Sequence, residues 1–170
     1  NEGILVKKQI HGGHQEFDFR AGTENIAGIV GFAKAVELCE EEQNRNMQLL
    51  RDKLIYNILK NIAYCRLNGA VGDKRLCNNV NVTFEYLDGE ALMMELDAKG
   101  VEVSTGSACS SQSRDPSHVL LAIGLNNDLA RGAIRLTLNR YNNDEEIDYF
   151  LEILSQLVTD IRKINPGWNN

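Results

Sequence analysis

The 170-residue sequence carries 18 Lys and Arg against 24 Asp and Glu, a net charge of −6, with 43% hydrophobic and 25% charged residues. This is the composition of a globular chain with a real core, and its acidic balance argues against a broad nucleic-acid surface. No apolar run approaches the roughly 20 residues of a membrane span, and no signal-peptide pattern stands at the start, so a cytoplasmic protein without membrane or nucleic-acid partners is expected.

Gly3 to Ile10 alternates weakly and predicts a short strand, followed by a turn at His11-Gly12-Gly13-His14. The two histidines have no helix beneath them and no third ligand nearby, so no metal site is expected. Arg20-Ala21-Gly22-Thr23-Glu24-Asn25 leads into a helix capped by Thr23 or Asn25. Such an entry is either an ordinary cap or a site for an anion such as a phosphate. From Ile26 to Ile62 the spacing predicts one long helix, or two in line, apolar at Ile26, Ile29, Val30, Ala33 and Val36 and again at Leu50, Leu54 and Ile58. The polar stretch between them is a solvated face with Glu41 and Arg45 at i,i+4.

Tyr64 to Leu67 predicts a short strand, and Asn79 to Tyr86 a longer one with Val80, Val82, Phe84 and Tyr86 on one side and Asn81, Thr83 and Glu85 on the other. Asp88 caps a helix through Leu92 and Leu96 that stops at Gly100. Val101 to Val103 predicts a brief strand delivering Ser104-Thr105-Gly106-Ser107-Ala108-Cys109-Ser110-Ser111. These small, hydroxylic residues bury little apolar surface, so a mobile loop is expected, with Cys109 either an inert surface thiol or a nucleophile on a flexible arm. The other cysteines, Cys39, Cys65 and Cys77, make no C-x-x-C pair with it or with one another and are expected as buried, reduced thiols. Ser117 caps a short helix ended by Gly124.

Ala133 to Asn139 predicts a strand with Ile134, Leu136 and Leu138 toward the core, which turns Arg135 and Thr137 to the other face. Arg135 is then either a surface arginine or a ligand for a carboxylate. Asn143 to Glu146 reads as a capping box, and Ile147, Phe150, Leu151, Leu154, Leu157, Val158 and Ile161 form an amphipathic stripe beyond it. The element order gives an α+β fold, a mainly antiparallel sheet with helices on one face.

Three stretches taken together, Gly12 to Asn25, Ser104 to Ser111 and Gly132 to Leu138, resemble the pyridoxal-phosphate cysteine desulfurases of the NifS/IscS type in the class V aminotransferase group. The cysteine stretch resembles the long-loop branch that feeds iron–sulfur scaffolds. The resemblance implies that Cys109 takes sulfur from L-cysteine and carries it as a persulfide, leaving alanine. It implies that Thr23 reaches the pyridoxal 5'-phosphate of the other subunit in a homodimer, and that Arg135 holds the substrate carboxylate. It implies an iron–sulfur scaffold or other sulfur acceptor as partner, and no resident metal beyond a transient iron–sulfur ligand role for Cys109. His14 and Asn139 stand where the family commonly has glycine.

The family's Schiff-base lysine, with its aspartate and stacked histidine, falls upstream of the opening strand, and no lysine here has that setting. The resemblance therefore implies a C-terminal piece, inactive alone: 1–25 as the tail of the cofactor domain, 26–62 as a bridging helix, and 63–170 as the small C-terminal domain of a fold-type I enzyme. A non-catalytic persulfide carrier or scaffold-docking module is the alternative, and a selenocysteine lyase relative is another.

Overall fold

Val80, Val82 and Phe84 alternate with Asn79, Asn81 and Thr83, and in the computed structural model, which describes residues 7–105 and 116–168, they form strand β2, Asn79–Phe84. With β1 (Cys65–Leu67), β3 (Ser104–Thr105) and β4 (Ala133–Thr137) it builds a four-stranded sheet in the order β1-β2-β4-β3, antiparallel at every described pairing. The register sets Val80 opposite Leu136 and Val82 opposite Ile134, so the branched side chains of the two central strands share one face.

That face is covered by α2 (Glu41–Asn61), α3 (Gly89–Asp97) and α6 (Asp144–Lys163). Leu54 and Ile58, Leu92 and Leu96, and Leu154 and Val158 close on Val80, Val82, Phe84 and Ile134, all almost wholly buried. Each large apolar side chain so buried contributes roughly 1.5–3 kcal/mol. The helix starts are fixed locally. Asp88 accepts from the N–H groups of Glu90 and Ala91, and Asn143 and Glu146 form a reciprocal capping box. Lys53 holds α2 to α6, its Nζ 2.8 Å from Asp144 and 2.7 Å from Asp148.

The opposite face is not bare. The short helices α4 (His118–Ala122) and α5 (Asn127–Arg131) bring Leu120, Leu125 and Ala130 against Ala133, which points away from the main core. Helices therefore cover one face as expected, and a small second cluster occupies one end of the other.

The chain divides into two compact units, Asn1–Glu40 and Glu41–Asn170. In the first, α1 (Ile26–Glu37) buries none of its residues, and Ile26, Ile29, Val30, Phe32 and Val36 are exposed.

Of the two readings of 26–62, one long helix or two, the residues take the second: the first helix is closed by the Leu38 and Cys39 N–H groups and another starts at Glu41. Consecutive Glu40, Glu41 and Glu42 favour a helix N-terminus over an interior, because the dipole stabilises negative charge there. Three expectations are corrected. Residues 7–10 of the expected opening strand are not extended in a sheet, and residues 3–6 lie outside the described residues. The strand expected at 101–103 falls instead at Ser104–Thr105. β2 ends at Phe84, and Tyr86 (φ 60°) turns out of its line to pack on Tyr64 and Trp168.

Candidate functional site

Arg135 is exposed between buried Ile134 and Leu136, as alternation along β4 requires. β4 is a central strand, so Arg135 has a register partner on each side, Asn81 of β2 and Ser104 of β3. Among the described residues no carboxylate pairs with its guanidinium. It lines a groove of about 380 Å³ together with Asn68, Lys74, Arg75, Asn81 and Ser117, and no Asp or Glu is among the groove's described lining residues.

Arg75 is the second guanidinium of this groove. It donates from Nε to the Ala70 carbonyl, from Nη1 to Asn79, and from Nη2 to the Asn68 carbonyl, clamping the β1–β2 connection. Partial burial holds its pKa below the ordinary guanidinium value, and the nearby Arg51 charge adds to that. Arg51, 1% exposed, has its own carboxylate partner in Asp52 at 2.8 Å. The groove therefore concentrates uncompensated positive charge, which suits an anion.

Asn68 lies beneath the groove floor, 3% exposed, and donates from Nδ2 to Asn81 Oδ1 and Thr83 Oγ1, each at 2.8 Å. Its own Oδ1 is buried without a partner. Sequence reasoning missed Asn68, Arg75 and Asn81 as members of the site. The signal for Asn81 was present, since alternation already turned it to the face that carries Arg135.

β3 links this groove to Cys109. The strand ends at Thr105, and Cys109 follows four residues later in sequence. Cys109 itself, and the expectation of a mobile loop around it, lie outside the described residues. On the far side of that segment Ser117 lines the same groove as Arg135. Ser117 makes no side-chain cap to α4, contrary to expectation.

Thr23 lies in the first unit on an exposed turn. Arg20 Nη1 donates to the carbonyls of Gly22 (2.9 Å) and Thr23 (3.3 Å), and Asn25, rather than Thr23, caps α1 by accepting from Gly28 N–H. Among the described residues nothing hydrogen-bonds the Thr23 hydroxyl, which leaves it available as a donor. His14 is 3.2 Å from Asp18, whose carboxyl is held below the ordinary carboxylate range first by its hydrogen bond from Lys8.

The remaining thiols are less buried than expected, and Cys39 departs furthest, being exposed. Cys65 and Cys77 are half-buried. Cys65 donates to the Ile62 carbonyl at 3.0 Å, and burial pushes its pKa up.

The family profile Aminotransferase class-V matches residues 5–150. A cysteine desulfurase IscS of Methanosarcina thermophila is 48% identical over 168 residues, covering 97% of this chain and 41% of that protein. One from Clostridium botulinum is 46% identical over 172 residues, covering 99% and 43%. Among solved structures, a NifS-like protein superposes with a TM-score of 0.76 at 34% identity, covering 94% of this chain and 40% of its own. The chain thus spans about two-fifths of the length of the relatives it matches.

Proposed function

The chain belongs to the class-V aminotransferase family, and on that premise we propose that the protein containing it is an L-cysteine desulfurase in which Cys109 receives the sulfur. The observation that carries this reading is the β3–β4 register. Ser104 stands beside Arg135, so β3, which leads in sequence toward Cys109, lies next to a guanidinium that pairs with no described carboxylate and suits that of a substrate.

Arg135 binds the α-carboxylate through paired N–H donors and so fixes the orientation of the substrate side chain. The Cys109 thiolate attacks the substrate sulfur. A sulfur–sulfur bond forms as the carbon–sulfur bond breaks, and the electron pair left on carbon is taken up by a proton, giving alanine. A free thiol titrates near about 8.5, and a cationic surround lowers that value.

The donors present fit the oxygens of pyridoxal 5'-phosphate in one respect. The exposed Thr23 hydroxyl is suited to the phosphate, in the reading across a homodimer interface. When bound, that cofactor supplies the electron sink that weakens bonds at the α- and β-carbons of the substrate. The sulfur acceptor in this reading is an iron–sulfur scaffold or another protein thiol, and the setting is the cytoplasm.

The test is product analysis. The whole protein containing this chain, with pyridoxal phosphate and L-cysteine, is expected to form alanine in step with sulfide released by a reductant. Absence of alanine, with Cys109 still accepting sulfur from a donor protein, would mark a carrier without catalysis.

A further inference from the structure

The groove offers a second donor beside Arg135. Asn81 is the Cα partner of Arg135 across the β2–β4 ladder, so the two side chains leave the sheet on the same face, and both line the groove. Asn68 fixes which end of the Asn81 amide meets a ligand. Its two Nδ2 hydrogens go to Asn81 Oδ1 and Thr83 Oγ1. The Asn81 oxygen is thereby engaged and its NH₂ group is left to the groove, where no described residue accepts from it. The reversed amide at Asn68 would strand two buried N–H donors in place of the single unpaired acceptor, Asn68 Oδ1, which is the costlier arrangement.

We propose that Asn81 is a second substrate-carboxylate ligand, donating its Nδ2–H to the carboxylate that Arg135 binds, with the buried Asn68 as the positioning residue that orients it. The proposal rests on the reading of Arg135 given above. A guanidinium on one strand and an amide on the next hold the carboxylate from two directions. That restricts its rotation and, with it, the direction of the substrate sulfur.

Two measurements test this. The first uses the chain itself, following side-chain amide and guanidinium ¹⁵N–¹H signals during titration with sodium acetate, against sodium chloride at equal ionic strength. The Asn81 Nδ2 pair is expected to shift saturably with acetate together with Arg135 Nε–H, and not with chloride. A shift of Arg135 without Asn81, or of neither, overturns the proposal.

The second uses kinetics of the whole protein. Loss of one hydrogen bond to a charged group predicts that Asn81→Ala raises KM for cysteine about tenfold. The same variant should also lower kcat, because a less restrained carboxylate directs the substrate sulfur less narrowly. Asn81→Asp keeps the acceptor for Asn68 and the shape of the side chain, and is expected to raise KM further, because its carboxylate competes for Arg135. An unchanged KM in Asn81→Ala alongside a raised KM in Arg135→Ala sinks the proposal alone. An unchanged KM in both sinks the reading of Arg135 as well.

Discussion

Ser104 and Arg135 are Cα partners across the β3–β4 ladder, which ties the start of the cysteine-bearing segment to the guanidinium of the groove. Arg135 takes no part in an ion pair with any described carboxylate, so its removal leaves no charge stranded. Arg135→Ala in the whole protein is therefore expected to weaken cysteine binding by about 2–5 kcal/mol, the range for a lost charge-assisted contact. The thermal midpoint should stay within a degree or two of the parent, on the order expected for an exposed site. A collapse of the midpoint with unaltered KM would make Arg135 structural instead.

Arg162 does the opposite work. It is 4% exposed in the last turn of α6, donating from Nε to the Glu85 carbonyl at 3.0 Å and from Nη2 to the Tyr64 carbonyl at 2.8 Å, with its guanidinium 4.8 Å from the Trp168 ring. Arg162→Met keeps apolar contact but strips a donor from each carbonyl, and a loss of about 1–3 kcal/mol is expected in urea unfolding. Unchanged stability would show that water replaces the guanidinium without cost.

How much of this was legible depended on the range of the forces involved. β2 and α6 were readable because periods of 2 and 3.6 are written in adjacent residues, and the Asp88 and Asn143 caps act within three residues. Arg135 was placed off the core for the same reason. Arg162 was not readable, since its carbonyl partners lie 77 and 98 residues away. Nor was β3, two residues long, which exists only because β4 offers an edge. The Asn68–Asn81 bond joins two strands across a clamped connection, and single-residue patterns do not report such pairings. Cys39 looked buried by its apolar context, yet α1 ends just before it and leaves it exposed.

Gly132 shows how close the backbones come at the end of β4. Its carbonyl accepts from Phe84 N–H at 2.9 Å, and a Cβ on Gly132 would overlap the Phe84 carbonyl oxygen and come within 3.1 Å of that of Leu87. Those are backbone atoms in a packed core and cannot swing aside. Gly132→Ala is expected to cost about 1–3 kcal/mol, read as a lowered urea midpoint with an unchanged m-value. A neutral result would mean that β2 and β4 can separate locally without loss.

The thiols should separate by pH. Burial raises the Cys65 pKa, so its thiolate forms only above the ordinary thiol range of about 8.5, and its alkylation by iodoacetamide should lag at neutral pH and rise late. Exposed Cys39 is expected to react ahead of it. Equal rates for the two at neutral pH would contradict the described burial of Cys65.

Cys109 is the proposed destination of the substrate sulfur. The measurement is mass spectrometry of the Cys109 peptide from the whole protein, taken after a short exposure to L-cysteine with pyridoxal phosphate bound and without reductant. A gain of one sulfur atom on Cys109 and on no other cysteine is expected. Cys109→Ser is also expected to keep the coloured cofactor yet form no alanine. Undiminished alanine formation by the Cys109→Ser protein, or sulfur found on Cys39, Cys65 or Cys77 in place of Cys109, would contradict this assignment.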